Sequence, residues 1–127
     1  MTNATSRILV VVLLGVETAA LAVMSTLHLT GVLAGGGSDR PTSAGIAEAV
    51  IAVALLAATV AAWRRPATTR TAVTAALVFA IAGFIFGLSL TVTSGSVPDI
   101  AFHATTLPIL AVTLVLSRRA LTKRATL

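Results

Sequence analysis

Acid–base or metal chemistry in this chain can rest on very few side chains. The 127 residues include four acids and two histidines, with no cysteine and no tyrosine. Glu17, Glu48, Asp99, His28 and His103 fall in or at the edge of long apolar runs, whereas Asp39 falls in a glycine-rich loop. Imidazole nitrogens beside carboxylate oxygens suit a divalent metal. They equally suit a proton relay, or a ring of donors and acceptors around a quinone or another small ligand. The lack of cysteine excludes disulfides, thiolate nucleophiles, Cys-ligated zinc, iron–sulfur clusters and covalent c-type haem. It also excludes disulfide exchange with a quinone. Bis-histidine haem through His28 and His103 remains open, so no single cofactor is implied. The sequence holds no Ser-His-Asp set, phosphate loop, dinucleotide motif or H-E-x-x-H spacing, and no catalytic residue is assigned.

The composition dictates the elements that position these groups. It is 57% hydrophobic and only 10% charged, against about 25% charged in a typical soluble domain. A water-soluble globule this apolar could not cover its surface, whereas lipid accepts apolar side chains facing outward. Four continuous apolar runs stand out, from Ile8 to Thr30, Gly45 to Trp63, Thr71 to Val92 and Pro98 to Leu116. About 20 helical residues cross a hydrocarbon core of about 30 Å. The runs do not alternate, which argues against barrel strands. The expected fold is therefore all-α, a four-helix transmembrane bundle forming one membrane domain. The first run stays apolar to Leu33. That exceeds the core of a cleaved signal peptide, so it is expected to be a retained span.

Turn chemistry agrees with these boundaries. Gly35-Gly36-Gly37-Ser38-Asp39-Arg40-Pro41 reads as a loop, with Ser43 as a candidate N-cap for the second helix. Pro66 follows Arg64-Arg65 and disfavours helix at the residue before it. Ser94-Gly95-Ser96 turns the chain into Pro98, a residue suited to a first helical turn. Pro108 lies inside the fourth helix and is expected to kink it there.

The basic residues set the expected orientation. Arg7, Arg64, Arg65, Arg70, Arg118, Arg119, Lys123 and Arg124 fall on one side, and Arg40 alone falls on the other. The positive-inside rule places both termini in the cytoplasm of a plasma (inner) membrane protein. The net charge of +5 then reflects topology and anionic headgroups rather than nucleic acid. On this arrangement His28, Glu48, Asp99 and His103, from three helices, reach similar depth in the outer leaflet. Glu17, three turns from His28 on the same face, lies near mid-membrane.

The expected site is thus an outward-facing polar pocket. Its metal ligands would be His28, Glu48 and His103, with Asp99 holding an imidazole and Glu17 beneath as an inner station. Thr106 and Ser25 would extend the lining. Simpler roles exist for each group. His28 can be interfacial, Asp99 and Glu48 can answer a helix dipole, and His103 can bond a neighbouring helix. Glu17 is too deep to snorkel.

Other features read structurally. Gly83 and Gly87 form a GxxxG that permits close approach, within the bundle or in a homo-oligomer. Phe79, Phe84 and Phe86 suit packing or lipid contact, and Trp63 beside Arg64 suits an interfacial anchor. Thr74, Ser89, Thr91 and Thr93 can satisfy local carbonyls. The remaining functional alternatives are a proton-coupled small transporter using Glu17 and a non-catalytic accessory subunit of a membrane complex.

Gly45-Ile46-Ala47-Glu48 opens the second helix, and the basic turn Arg64-Arg65 leads to the third. On these residues and the four-span plan, the chain resembles the DoxX-like family of small bacterial membrane proteins. The resemblance implies a bundle in which Glu48 matters, within a family that has some members linked to quinone-dependent sulfur oxidation. Size, four helices and the acid Glu17 are also shared with small multidrug transporters, which rely on aromatic residues around the acid, whereas this chain has no Tyr and one Trp, at the end of its second run.

Overall fold

The computed structural model describes residues 3–33, 40–65, 68–94 and 96–121. These form four α-helices: α1 (Asn3–Leu29), α2 (Arg40–Arg64), α3 (Arg70–Ser94) and α4 (Val97–Ala120). Asp39, the glycines of the first loop, Pro66, Gly95, Lys123 and Arg124 lie outside the described residues. Helices α2, α3 and α4 extend beyond their apolar runs at both ends, whereas α1 starts before Ile8 and stops at Leu29, one residue short of Thr30. The four candidate spans are 26, 22, 24 and 24 residues long, and the protein is a small multi-pass membrane protein.

The helix ends follow local chemistry, with one change. Gly31, at φ 76°, stops α1, and its N–H donates to the His28 carbonyl at 3.1 Å. Ser96 is the N-cap of α4, with Pro98 in the first turn as expected. Ser43 is not the N-cap of α2, since that helix already begins at Arg40. Pro108 lies within α4, which continues through it to Ala120.

Each helix packs on its two neighbours in a ring α1–α2–α3–α4 and not across the diagonal. The inward residues recur every three or four positions, as in any bundle seam. On α1 the buried set is Val10, Leu14, Glu17, Leu21, Ser25 and His28. On α4 it is Asp99, His103, Thr106, Leu110, Thr113 and Ser117. The α3 face is apolar, as is that of α2 apart from Glu48, with Leu55, Ala58 and Ala62 meeting Val73, Leu77, Ala80 and Phe84 in one core. Outward positions carry Val16, Val53, Phe79, Phe86 and Val112, all exposed, as a lipid-facing surface requires. Trp63 is 71% exposed at the end of α2. Ser89, Thr91 and Thr93 donate to the carbonyls of Phe86, Leu88 and Leu90, as expected of hydroxyls facing lipid.

Close approach is concentrated at three glycines. A Cβ on Gly45 would stand 2.8 Å from Leu29 Cγ and 3.1 Å from the Ser25 carbonyl oxygen. The Ser25 hydroxyl donates to the Gly45 carbonyl at 2.7 Å, locking α1 to α2. Gly83 gives its space to Ile51, 2.6 Å from where a Cβ would be, and Gly87 gives its space to the His103 ring. Both glycines of the GxxxG therefore serve contacts within the chain.

The contrast between glycines is testable. Gly45→Ala should lower unfolding stability in detergent by about 1–3 kcal/mol, the usual cost of overpacking. Gly15→Ala meets nothing within 4 Å and should be neutral, or stabilising by up to about 1 kcal/mol through helix propensity. Equal effects of the two substitutions would contradict the packing described.

Candidate functional site

Glu17, His28, Glu48, Asp99 and His103 are all buried, none more than 8% exposed. They divide into two groups. Four gather where α1 ends and α2 and α4 begin, and Glu17 stands alone further down the seam.

His28 is the centre of the first group, because α1 lies between α2 and α4 in the ring. Its Nδ1 is 2.8 Å from Glu48 Oε2 on α2. Its Nε2 is 3.9 Å from Asp99 Oδ1 on α4. Asp99 is also next to His103, whose Nδ1 is 3.2 Å from Oδ1 and donates to the Asp99 backbone carbonyl at 2.9 Å. A carbonyl only accepts, so His103 carries a proton on Nδ1. The other side of that ring is fixed by packing. Nε2 lies 2.5 Å from where a Cβ on Gly87 would be, and the ring centroid is 5.1 Å from Phe84 and 5.8 Å from Phe102.

The expected convergence of three helices is present. One ligand atom from each of His28, Glu48 and Asp99 lies within 4.8 Å of the others. His103 stands behind Asp99, its Nδ1 engaged and its Nε2 turned to α3. Glu48 uses one oxygen to orient His28 and leaves Oε1 without a hydrogen-bond partner among the described residues; Asp99 Oδ1 is likewise without one. The sequence indicated which residues converge, but not which imidazole would be enclosed.

Proton counting at His28 defines what the cluster can do. A carboxylate only accepts, so Nδ1 supplies the hydrogen in the contact with Glu48. In a neutral ring Nε2 then holds a lone pair, and it faces Asp99 Oδ1 across 3.9 Å. Two electron-rich atoms oppose each other at a distance too long for a hydrogen bond. The arrangement fits an intervening cation. It also resembles the carboxylate–histidine pairs that hold the remote nitrogen of a metal-ligating imidazole.

Glu17 has a partner that the sequence reading did not find. Its Oε1 is 2.7 Å from the Thr113 hydroxyl on α4. The signal was available: Asp99, His103, Thr106, Leu110, Thr113 and Ser117 follow four–three steps along one helix face. Thr106 is buried on the seam as expected, whereas Ser25 is engaged with the Gly45 carbonyl. A shallow groove lined by Val53, Ala57, Val60 and Arg64 opens on the lipid side of α2, away from both groups.

Fold and site define the class: a small four-span helical membrane protein with a buried histidine–carboxylate cluster at one end of its bundle. Comparison with known proteins finds no matching family model, no matching curated protein and no matching solved structure.

If Glu48 orients His28 directly, the two residues are energetically coupled. A double-mutant cycle of His28→Ala with Glu48→Ala should give a coupling of about 1–2 kcal/mol in lipid or detergent. The pair Ser89→Ala and Glu48→Ala should give none. Additivity in the first cycle would show that the contact carries no stability.

Proposed function

We propose that this protein binds a divalent metal ion at His28, Glu48 and Asp99, with His103 positioning Asp99. The single observation behind this reading is the 3.9 Å gap between His28 Nε2 and Asp99 Oδ1. Metal–nitrogen and metal–oxygen bonds of about 2.0–2.2 Å span such a gap. The unpartnered oxygens of Glu48 and Asp99 supply the remaining donor capacity. One imidazole with two carboxylates is a mixed nitrogen–oxygen set, suited to zinc, manganese or ferrous iron rather than to a soft ion. Two negative carboxylates in a low-dielectric bundle also favour a doubly charged guest, because an uncompensated charge there is costly.

The site belongs to the outward face on the same reading. Arg7, Arg64, Arg65, Arg70, Arg118 and Arg119 lie at the end of the helices opposite the cluster, and such an excess faces the cytoplasm. In a bacterial inner membrane the cluster then opens toward the periplasmic side, with both termini inside. Gly45 seats α1 against α2, and Glu48 holds His28. Close packing of the cluster favours an ion over a quinone-sized guest.

Purified, chelator-treated protein should bind zinc or manganese in calorimetry. His28→Ala, Glu48→Gln and Asp99→Asn should each weaken binding at least about 10-fold, as loss of a ligand or its partner does. Zinc at 100 times its Kd should stabilise the wild type by about 2.7 kcal/mol and the variants by less. Wild-type protein that neither binds nor is stabilised by any of these ions would remove the proposal. A cysteine introduced near Val32 should react with an impermeant thiol reagent from outside the cell, and reaction only after lysis would reverse the orientation.

A further inference from the structure

We infer that Glu17 and Thr113 form a second ion site, in the middle of the bundle, whose ligand is a single proton on the Glu17 carboxyl. This goes beyond the cation site and stands on separate atoms.

The argument begins with the Thr113 hydroxyl. Its oxygen is 2.7 Å from Glu17 Oε1 and 2.9 Å from the Ile109 carbonyl oxygen. A hydroxyl has one hydrogen to donate and lone pairs to accept with. An ionised Glu17 and the Ile109 carbonyl are both acceptors, so one hydrogen would have to serve two contacts. A proton on Glu17 Oε1 resolves the conflict. The carboxyl O–H donates to Thr113 Oγ1, and the Thr113 O–H donates to the Ile109 carbonyl. Every hydrogen then has one acceptor, in a chain running from α1 into the backbone of α4.

The other oxygen points to the same state. Glu17 Oε2 has no hydrogen-bond partner among the described residues, and Glu17 is 2% exposed. As half of a carboxylate it would carry charge away from bulk solvent with no donor among the described residues. As the carbonyl of a neutral acid it loses only one weak acceptor contact.

No neighbouring charge offers an alternative. Among the described residues, the buried ones of α2 are Gly45, Glu48, Ile51, Ala52, Leu55, Ala58 and Ala62. Those of α4 are Asp99, His103, Thr106, Leu110, Thr113 and Ser117. The titratable members of both sets, with His28 of α1 itself, belong to the cluster at the far end, about 16 Å along the helix from Glu17. Between the two sites lie Leu21, Leu55 and Leu110, each 0% exposed. Arg7, Arg64, Arg65, Arg70, Arg118 and Arg119 are exposed, near the helix ends. This apolar layer separates a proton site from a cation site on one seam of α1 and α4.

Infrared spectroscopy of the full chain in lipid, at neutral pH and without added metal, tests the assignment. A wild-type minus Glu17→Gln difference spectrum should show loss of the carbonyl stretch of a carboxylic acid and no loss of carboxylate bands. Thr113→Val, which keeps the acid and removes its acceptor, should move that carbonyl stretch to higher frequency. Saturating zinc should leave it in place, so failure of the cation site would not affect this result. Loss of carboxylate bands in the Glu17→Gln comparison would overturn the inference. An unshifted band in Thr113→Val would overturn it as well, and that comparison stands even if Glu17→Gln does not fold.

Discussion

A polar side chain inside a bilayer has no water as an alternative partner, and this constraint organises the whole molecule. In a soluble bundle a poorly satisfied acid turns toward solvent. Here Glu17, Glu48, Asp99, His28 and His103 are buried in a ring of four helices with lipid outside, so each must be met by another helix or by its own backbone. The polar seam between α1 and α4 follows from that requirement. Its apolar counterpart on α2 and α3 supplies the dispersion packing that holds the ring together.

The glycines make those meetings close enough to matter. Gly45 brings α2 against α1 where Ser25 reaches its carbonyl. One turn later on α2, Glu48 is within hydrogen-bond distance of His28. Gly87 on α3 leaves the space that the His103 ring fills, with Phe84 and Phe102 against that ring. His103 is thereby directed at Asp99, and Asp99 faces His28. A helix in contact with only one group of the cluster thus helps shape it, through the absence of a side chain.

The two polar groups differ in kind. The cluster at the His28 end combines two acids and two imidazoles with unpartnered oxygens among them. Such excess acceptor capacity suits a cation. The Glu17–Thr113 pair has one acid, one hydroxyl and one carbonyl, which a single hydrogen completes. Leu21, Leu55 and Leu110 keep them apart. The seam therefore carries two polar groups separated by an apolar layer.

Much of this was legible in the residues alone. Four uninterrupted apolar runs in so weakly charged a chain admit little besides a helical membrane bundle, because only a helix satisfies the backbone of a single segment in lipid. The rarity of ionisable residues singled out five side chains that are buried together, and equal depth from helix ends brought Glu48, Asp99 and the histidines to one level. What depth cannot give is rotation about each helix axis. That angle is set by packing between helices, and it decided three things. His28 is the imidazole enclosed by both acids, while His103 is turned to Gly87. Gly83 and Gly87 face inward, a choice their spacing leaves open because GxxxG serves either interface equally well. Thr113, remote from Glu17 in sequence, becomes its partner. Composition and periodicity are properties of one segment, whereas these contacts exist only after four segments choose their facing sides together.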